Sequence, residues 1–292
     1  MRAITTNGLL ALGLLAAMLL GCMLGPYPIP ADEVLRALLA RLQGEGYSPQ
    51  IDTVLFQIRW PRVLSAALVG AALAAAGASF QTLFRNPLVS PDILGVSAGA
   101  GFGAVLGILL ALPVIAIQGL GFATGLATVA IVYALARALR SQNEILVLVL
   151  AGIVVGALAG AGISLVKILA DPYNQLPAIT FWLLGSLSGI KASDVWNIAP
   201  AVVVGLLPLI LLRWPIGVLS LGDDEARSLG VNVAFVRGVV IAAATLVTAA
   251  AVSASGVIGW GGLLIPPMGR PLVGPRFDRL LPASILMGAA FL

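Results

Sequence analysis

One stretch of the sequence, residues 59–103, decides the fold: RWPRVLSAALVGAALAAAGASFQTLFRNPLVSPDILGVSAGAGFG. Two arginines flank a Trp-Pro step, and an apolar run follows from Val63 to Phe84. A run of about 22 residues, at ~1.5 Å rise each, covers the ~30 Å hydrocarbon core of a bilayer. The polar loop 85–88 separates this run from a second one that is rich in Gly and Ala. The stretch therefore predicts a transmembrane span, a tight turn and the start of another span.

The composition of the whole chain indicates a polytopic membrane protein. Of its 292 residues 60% are hydrophobic and 10% are charged, and the mean hydropathy is +1.08. Soluble domains carry about 25% charged residues. The apolar runs are continuous, and the 34 Gly and 18 Pro favour close-packed, locally broken helices over a β-barrel. We therefore predict an all-α helical bundle that forms one transmembrane domain over residues 1–292.

The residue types needed for catalysis or metal binding are scarce. The chain has no His and one Cys, which excludes an internal disulfide and a Cys/His metal site. It carries no G-x-x-x-x-G-K-[ST] motif, so it has no P-loop for nucleotide phosphates. The net charge of +4 fits arginines in cytoplasmic loops better than nucleic-acid binding. We predict no catalytic residue, no metal, no cofactor and no nucleic-acid partner.

The spans can be placed along the chain by their apolar runs. Long runs are expected to cross the bilayer at about 8–25, 63–84, 93–112, 114–136, 145–169, 193–212 and 236–254. The polar stretch 26–58 is expected to form a periplasmic loop with a short amphipathic helix near 31–43. Residues 171–189 predict a partial helix. The run 257–269 is too short to cross, and Pro266-Pro267 is expected to break it.

Basic residues predict the orientation. With the N-terminus inside, a minority of the 16 basic residues fall outside: Arg36, Arg41, Arg59, Arg62, Lys167 and Lys191. The rest, among them Arg140, fall on the cytoplasmic side, as the positive-inside rule expects. The charged segment 221–231 is therefore predicted to be a cytoplasmic loop.

Three motifs together carry a resemblance to a known family: RWPR and RNPL within 59–88, GDDEARSLGVNV at 222–233, and SGVIGWGGLLIPPMGRPLVG at 255–274. The chain resembles, over essentially its whole length, the FecCD-like permease subunits of ABC importers for iron-siderophore complexes, haem and vitamin B12. The resemblance implies a type II importer permease with ten spans in the inner membrane. It implies import of a chelated iron, haem or cobalamin-type substrate. The implied partners are a second copy of the chain, two ATPase subunits and a substrate-binding protein.

The same resemblance assigns roles to particular residues. ATPase coupling falls to five positions of the loop 221–231: Gly222, Glu225, Ala226, Leu229 and Gly230. Arg59 and Arg62, both expected to face outward, would receive carboxylates of the binding protein. Asn86 and Leu88 would belong to a cytoplasmic gate. The alternatives are a solvated connector, an interfacial anchor and a plain turn built on Pro87.

The chain departs from the family pattern at two places, and one rival class stays open. Pro267 stands where the family commonly has a histidine. The ninth span is cut and the tenth is absent, from which we expect either a truncated chain or a degenerate variant. The rival is an ion-coupled secondary transporter that works without an ATPase. That class needs acidic residues buried inside spans, whereas the carboxylates of this chain fall in predicted loops.

Overall fold

The computed structural model describes residues 2–139 and 144–292, and these two ranges contain helices and their connections but no strand. Arg140, which the orientation argument uses, lies outside them. The α-helices are α1 (Arg2–Met23), α2 (Ala31–Leu42), α3 (Pro49–Asp52), α4 (Trp60–Leu83), α5 (Val96–Leu109), α6 (Val114–Ala138), α7 (Glu144–Leu169), α8 (Gln175–Leu184), α9 (Ala192–Leu211), α10 (Arg213–Leu219), α11 (Asp223–Ser228), α12 (Val233–Ser255), α13 (Gly261–Val273) and α14 (Phe277–Phe291). The prediction of an all-α fold is confirmed.

Several of these helices have the length and hydropathy of membrane spans. Within residues 2–139 and 144–292 there are six: α1, the continuous helix Pro49–Leu83, α6, α7, α9 and α12. Three shorter helices, α5, α13 and α14, pack among the long ones. The polytopic bundle is therefore confirmed, while the family number of ten spans stays a prediction.

Helix α4 lies at the centre of the bundle, with α12 beside it. The span that contains α4 is 78% buried inside the chain and α12 is 67% buried, whereas α1 is 6% and α7 11% buried. Helix α4 packs against α9, α12, α13 and α14. Its sequence from Val69 to Ser79 is almost entirely Ala and Gly. Small residues of this kind let neighbouring backbones approach closely, which is how helices associate in lipid.

Two glycines of α4 lie directly against the backbone of other helices. A Cβ atom on Gly70 would lie 2.0 Å from the carbonyl oxygen of Gly288 in α14. A Cβ atom on Gly77 would lie 1.8 Å from the carbonyl oxygen of Gly262 in α13. No real side chain tolerates such distances, so both positions accept only glycine in this packing.

The loop predicted over residues 26–58 ends earlier than expected. Pro49 starts a helix after the extended Ser48, and a π-helical stretch, Thr53–Arg59, joins α3 to α4 without a break. Residues 49–58 are therefore helical, which corrects the prediction. The cause is an apolar cluster with residues distant in the sequence: Ile51 and Leu55 are buried against Cys22, Ile29 and Val34.

The break predicted at Pro266-Pro267 is also wrong, because α13 continues through both prolines and Pro271. Pro267 has no N–H to donate to the carbonyl of Leu263. The side chain of Gln81 in α4 supplies the missing donor, with its Nε2 atom 3.1 Å from the Leu263 oxygen. The carbonyl that Pro266 leaves free, that of Gly262, lies against Gly77. Helix α4 thus satisfies or covers the carbonyls that the prolines expose.

Helices α7 and α8 lie at the side of the bundle and expose apolar faces. Helix α7 packs through Gly152, where a Cβ atom would lie 2.3 Å from the oxygen of Ile93, whereas Gly160 has no atom within 4 Å of its Cβ position. The predicted partial helix in 171–189 is confirmed as α8. Its first residue, Gln175, donates to the oxygen of Leu109 at 2.9 Å. After α8 the chain contacts the end of α12, where the Ser186 N–H donates to the Ser255 oxygen at 2.8 Å.

We expect Gly77→Ala to destabilise the folded chain by ~1–3 kcal/mol or more, because the methyl group collides with a backbone oxygen that cannot move alone. The matched control is Gly160→Ala, where the space is open and the gain in helix propensity is about 1 kcal/mol. The measurement is the melting temperature of both variants in detergent. Equal melting temperatures would contradict the central position given to α4.

Candidate coupling site at the arginine-rich end

The candidate coupling segment 221–231 forms a short helix, α11, with a glycine at each end. Gly222 (φ 144°) precedes the helix and Gly230 (φ 79°) follows it, and both backbone conformations favour glycine. Ala226 is fully buried and its carbonyl accepts from the Val231 N–H at 2.9 Å. Glu225 and Leu229 are exposed. The buried Ala226 therefore anchors the segment, and Glu225 and Leu229 form its outer surface.

A cluster of charged side chains fastens α11 to the rest of the chain. Arg237, in α12, places one guanidinium nitrogen 2.7 Å from Oδ2 of Asp223 and the other 2.7 Å from Oε2 of Glu144. Asp223 also lies 3.6 Å from Arg85 through its other oxygen. Only 8% of the Arg237 side chain is exposed, so its charge depends on these two carboxylates for compensation. The cluster borders a cleft of about 530 Å³ that also includes Gly222 and Glu225.

Asp223, Arg237 and Glu144 are site residues that the sequence pattern does not predict. Acidic residues at the start of α11 were a signal for a helix N-terminus. Asp223 lies 14 positions and Glu144 lies 93 positions before Arg237 in the chain. Nothing in the sequence indicated that both would contact this arginine. The three belong to α11, α12 and α7, so only the fold brings them together.

The loop between α4 and α5 contains the predicted gate residues. Arg85 has a positive φ of 51°, and the side-chain oxygen of Asn86 accepts from the Leu88 N–H at 2.9 Å. This Asx-type turn uses the amide of Asn86 to shape the loop. Leu88 is 79% exposed, which is unusual for a leucine next to the buried Val89. The structure brings this loop next to α11 through the contact of Arg85 with Asp223.

The predicted outward orientation is wrong for Arg59. Its side chain faces inward, is 7% exposed, and donates to the carbonyls of Cys22 at 2.6 Å, Met23 at 3.0 Å and Tyr27. Two of these oxygens belong to the last turn of α1, which has no helical partners for them. A cation also opposes the negative end of the α1 dipole. Arg62, by contrast, is exposed.

Pro267, the departure from the family pattern, lies in the part of α13 that contacts α4. Gln81 is buried and bridges two groups of α13: it donates to the Leu263 oxygen and accepts from Nη2 of Arg270 at 2.8 Å. Its amide therefore has a partner on both sides. This bridge keeps α13 helical without a hydrogen-bonding side chain at position 267.

Comparisons with known proteins agree with this architecture. The model of the FecCD transport family matches residues 13–292, and the chain belongs to that family. It is 35% identical to the molybdate import system permease MolB of Haemophilus influenzae, over 92% of this chain and 80% of that one. It is 39% identical to the cobalamin import system permease BtuC of Halobacterium salinarum, over 92% and 71%.

A solved structure extends the similarity to the fold. A transporter described as of metal-chelate ABC type, in an inward-facing conformation, superimposes with a TM-score of 0.87 at 33% identity. The match covers 98% of this chain and 87% of that one. The chain is therefore a permease of the ABC importer class, a multi-pass inner-membrane transport subunit whose family implies ATPase and substrate-binding partners.

We expect Arg59→Gln to cost about 2–3 kcal/mol of stability, because three carbonyls lose a charged donor in a place that water reaches poorly. The matched control is Arg62→Gln, three residues further on and exposed, which should stay within about 0.5 kcal/mol of the wild type. Thermal unfolding in detergent measures both. A stable Arg59→Gln variant would contradict the structural role of this arginine.

Proposed function

We propose that this chain is the transmembrane subunit of an ATP-driven importer that works as a homodimer with two ATPase subunits. The observation that carries the proposal is α11, a short helix anchored by the buried Ala226 and presenting Glu225 and Leu229 to solvent. It lies in the segment where the family resemblance puts the contact with an ATPase. Leu229 is 54% exposed, so its side chain is accessible to a partner chain.

The exposed face of α7 supports a second copy of the chain as partner. The helix is long and apolar enough to cross a membrane, and few of its residues are buried within the chain. Leu150, Ile153, Val154 and Leu158 are each more than half exposed. Lipid can cover such a face, but a symmetric dimer would also enclose a path for the substrate between two copies of α7. In this proposal α7 and α8 line that path.

The proposed substrate is a chelated iron, haem or cobalamin-type complex that a substrate-binding protein delivers. Without histidine and with a single buried cysteine, the chain offers few ligands to a bare metal ion, which favours a metal that arrives already chelated. The chain has similar sequence identity to a molybdate import permease and to a cobalamin import permease. Sequence identity therefore does not distinguish between these substrates.

Docking of the binding protein is proposed for Arg62, since the guanidinium of Arg59 is bound within the chain. Asn86 and Leu88 are proposed as part of a cytoplasmic constriction, supported by the exposure of Leu88. The plain turn remains the alternative for the second assignment, because Asn86 already shapes the loop.

The rival reading, an ion-coupled transporter, finds little support. Among the described residues, the carboxylates within the six long spans lie in or near the first turn: Asp52, Glu144 and Asp194. Glu144 is paired with Arg237, and Asp194 accepts from the Lys191 N–H at 2.8 Å. An ion-coupled mechanism needs a carboxylate at mid-membrane depth, and these three lie at the ends of spans.

We expect Leu229→Asp to weaken binding of the cognate ATPase about tenfold or more, because a charge replaces an apolar contact at the centre of the proposed interface. The matched control is Leu42→Asp, an even more exposed leucine on the opposite side of the predicted membrane. The measurement is co-purification of the ATPase with the permease. If the ATPase co-purifies equally with both variants, the coupling assignment of α11 is wrong.

A further inference from the structure

The charged cluster around Arg237 connects more elements than an anchor for α11 requires. Arg237 pairs with the first residue of α11, Asp223, and with the first residue of α7, Glu144. Asp223 has a second partner in Arg85, on the loop after α4. Asp223 of α11 is therefore linked to α7 through Arg237 and to the 84–90 loop through Arg85. Both of these elements are candidates for movement.

We propose that Asp223 and Arg237 form a joint that transmits movement of α11 separately to α7 and to the 84–90 loop. The proposal rests on the function proposed above and names the positioning residues of that same site. The branch to α7 runs from Asp223 through Arg237 to Glu144. The branch to the loop runs from Asp223 to Arg85.

The centre of the joint, Arg237, is buried, whereas its outer partners are exposed to solvent. The Arg237 side chain is 8% exposed, and among residues 2–139 and 144–292 its Nε atom has no hydrogen-bond partner, so within these ranges the two carboxylates compensate its charge. Loss of either one leaves a poorly compensated buried cation. The outer partners, Glu144 and Arg85, are 62% and 41% exposed. Because both side chains reach solvent, they can move together with Asp223 and Arg237, and neither of them is itself a buried charge.

Helix α7 lies at the side of the bundle, with one face packed on the core and its first residue, Glu144, in the ion pair with Arg237. Its contacts within the chain are with α5, α6 and the short 3₁₀ turn Pro91–Leu94. Gly152 lies against the backbone of that turn and Gly156 against Gly95 and Ala98, while Leu148 and Val166 of α7 are buried in the core. A helix at the side of the bundle that is tied at one end by an ion pair can shift as a rigid body when the pair moves.

The same chain contains a salt bridge that lacks these connections. Arg227 and Asp224 lie 2.7 Å apart within α11, at 61% and 92% exposure. This pair belongs to one helix, and within the described part of the chain its ion pair links no second element. It therefore serves as the control for a general effect of removing charge from the segment.

The test uses the permease purified with its cognate ATPase, in a Cys22→Ala background, with a nitroxide at Leu150 of α7 or at Leu88 of the loop. Both side chains are exposed. Distances between the two copies are measured by pulsed electron paramagnetic resonance without nucleotide and with ATP and vanadate. In the parent protein both labels should shift. Glu144→Gln should remove most of the shift at Leu150 and keep the shift at Leu88.

Arg85→Gln should give the reverse pattern, and Arg227→Gln should change neither label. Both test variants leave the pair of Asp223 and Arg237 in place, and Gln at position 144 keeps a polar group beside the guanidinium. Co-purification of each variant with the ATPase separates a folding defect from a loss of transmission. Shifts at both labels that survive Glu144→Gln and Arg85→Gln unchanged would overturn the joint. If neither label shifts in the parent protein while the ATPase is bound, the proposed coupling function itself fails. Selective loss, of about fivefold or more in the shifted population, would support the joint.

Discussion

Backbone carbonyls that lack a helical donor are costly in a bilayer, and the structure depends on how α3–α4 satisfies them. The hydrocarbon region contains no water that could donate hydrogen bonds to these oxygens. The end of α1 exposes the oxygens of Cys22 and Met23, and Arg59 at the entrance of α4 donates to both. The prolines of α13 expose the oxygen of Leu263, and Gln81 near the other end of α4 donates to it. One helix thus secures two neighbours at its two ends.

Glycine and alanine along the middle of α4 complete this arrangement. Arg59 and Gln81 can reach their carbonyls only if the helices lie close, and Gly70 and Gly77 permit backbone contact with α14 and α13. The centre of the bundle is therefore held by hydrogen bonds and close packing. Helices α7 and α11 are held differently, through glycines and a cluster of ion pairs, and they expose apolar surface. The division between a fixed centre and a loosely held side is what a transporter that alternates between two openings requires.

The sequence predicted the class, the approximate spans and a charged loop segment at 221–231, because each depends on local patterns; the coupling role of that segment stays a proposal. Continuous apolar runs define spans, and glycines on either side of an acidic stretch define α11. The errors have a common physical cause. Arg59 is expected from the sequence to face outward, but its partners are the backbone carbonyls of Cys22 and Tyr27. A sequence pattern of side chains does not show which backbone carbonyls lie nearby. The prolines were expected to break α13 because Gln81 lies 182 positions from Leu263 in the chain.

Hydrogen-deuterium exchange of the permease bound to its ATPase tests the central claim most directly, that a fixed α4 core carries moving α7 and α11 elements. The comparison is between the nucleotide-free complex and the complex with ATP and vanadate. Amides of α4 should be highly protected and exchange equally in both states. Amides in the first turns of α7 and in residues 223–231 should change by about fivefold or more. Exchange that changes throughout α4, or that stays constant in α7, would contradict the account.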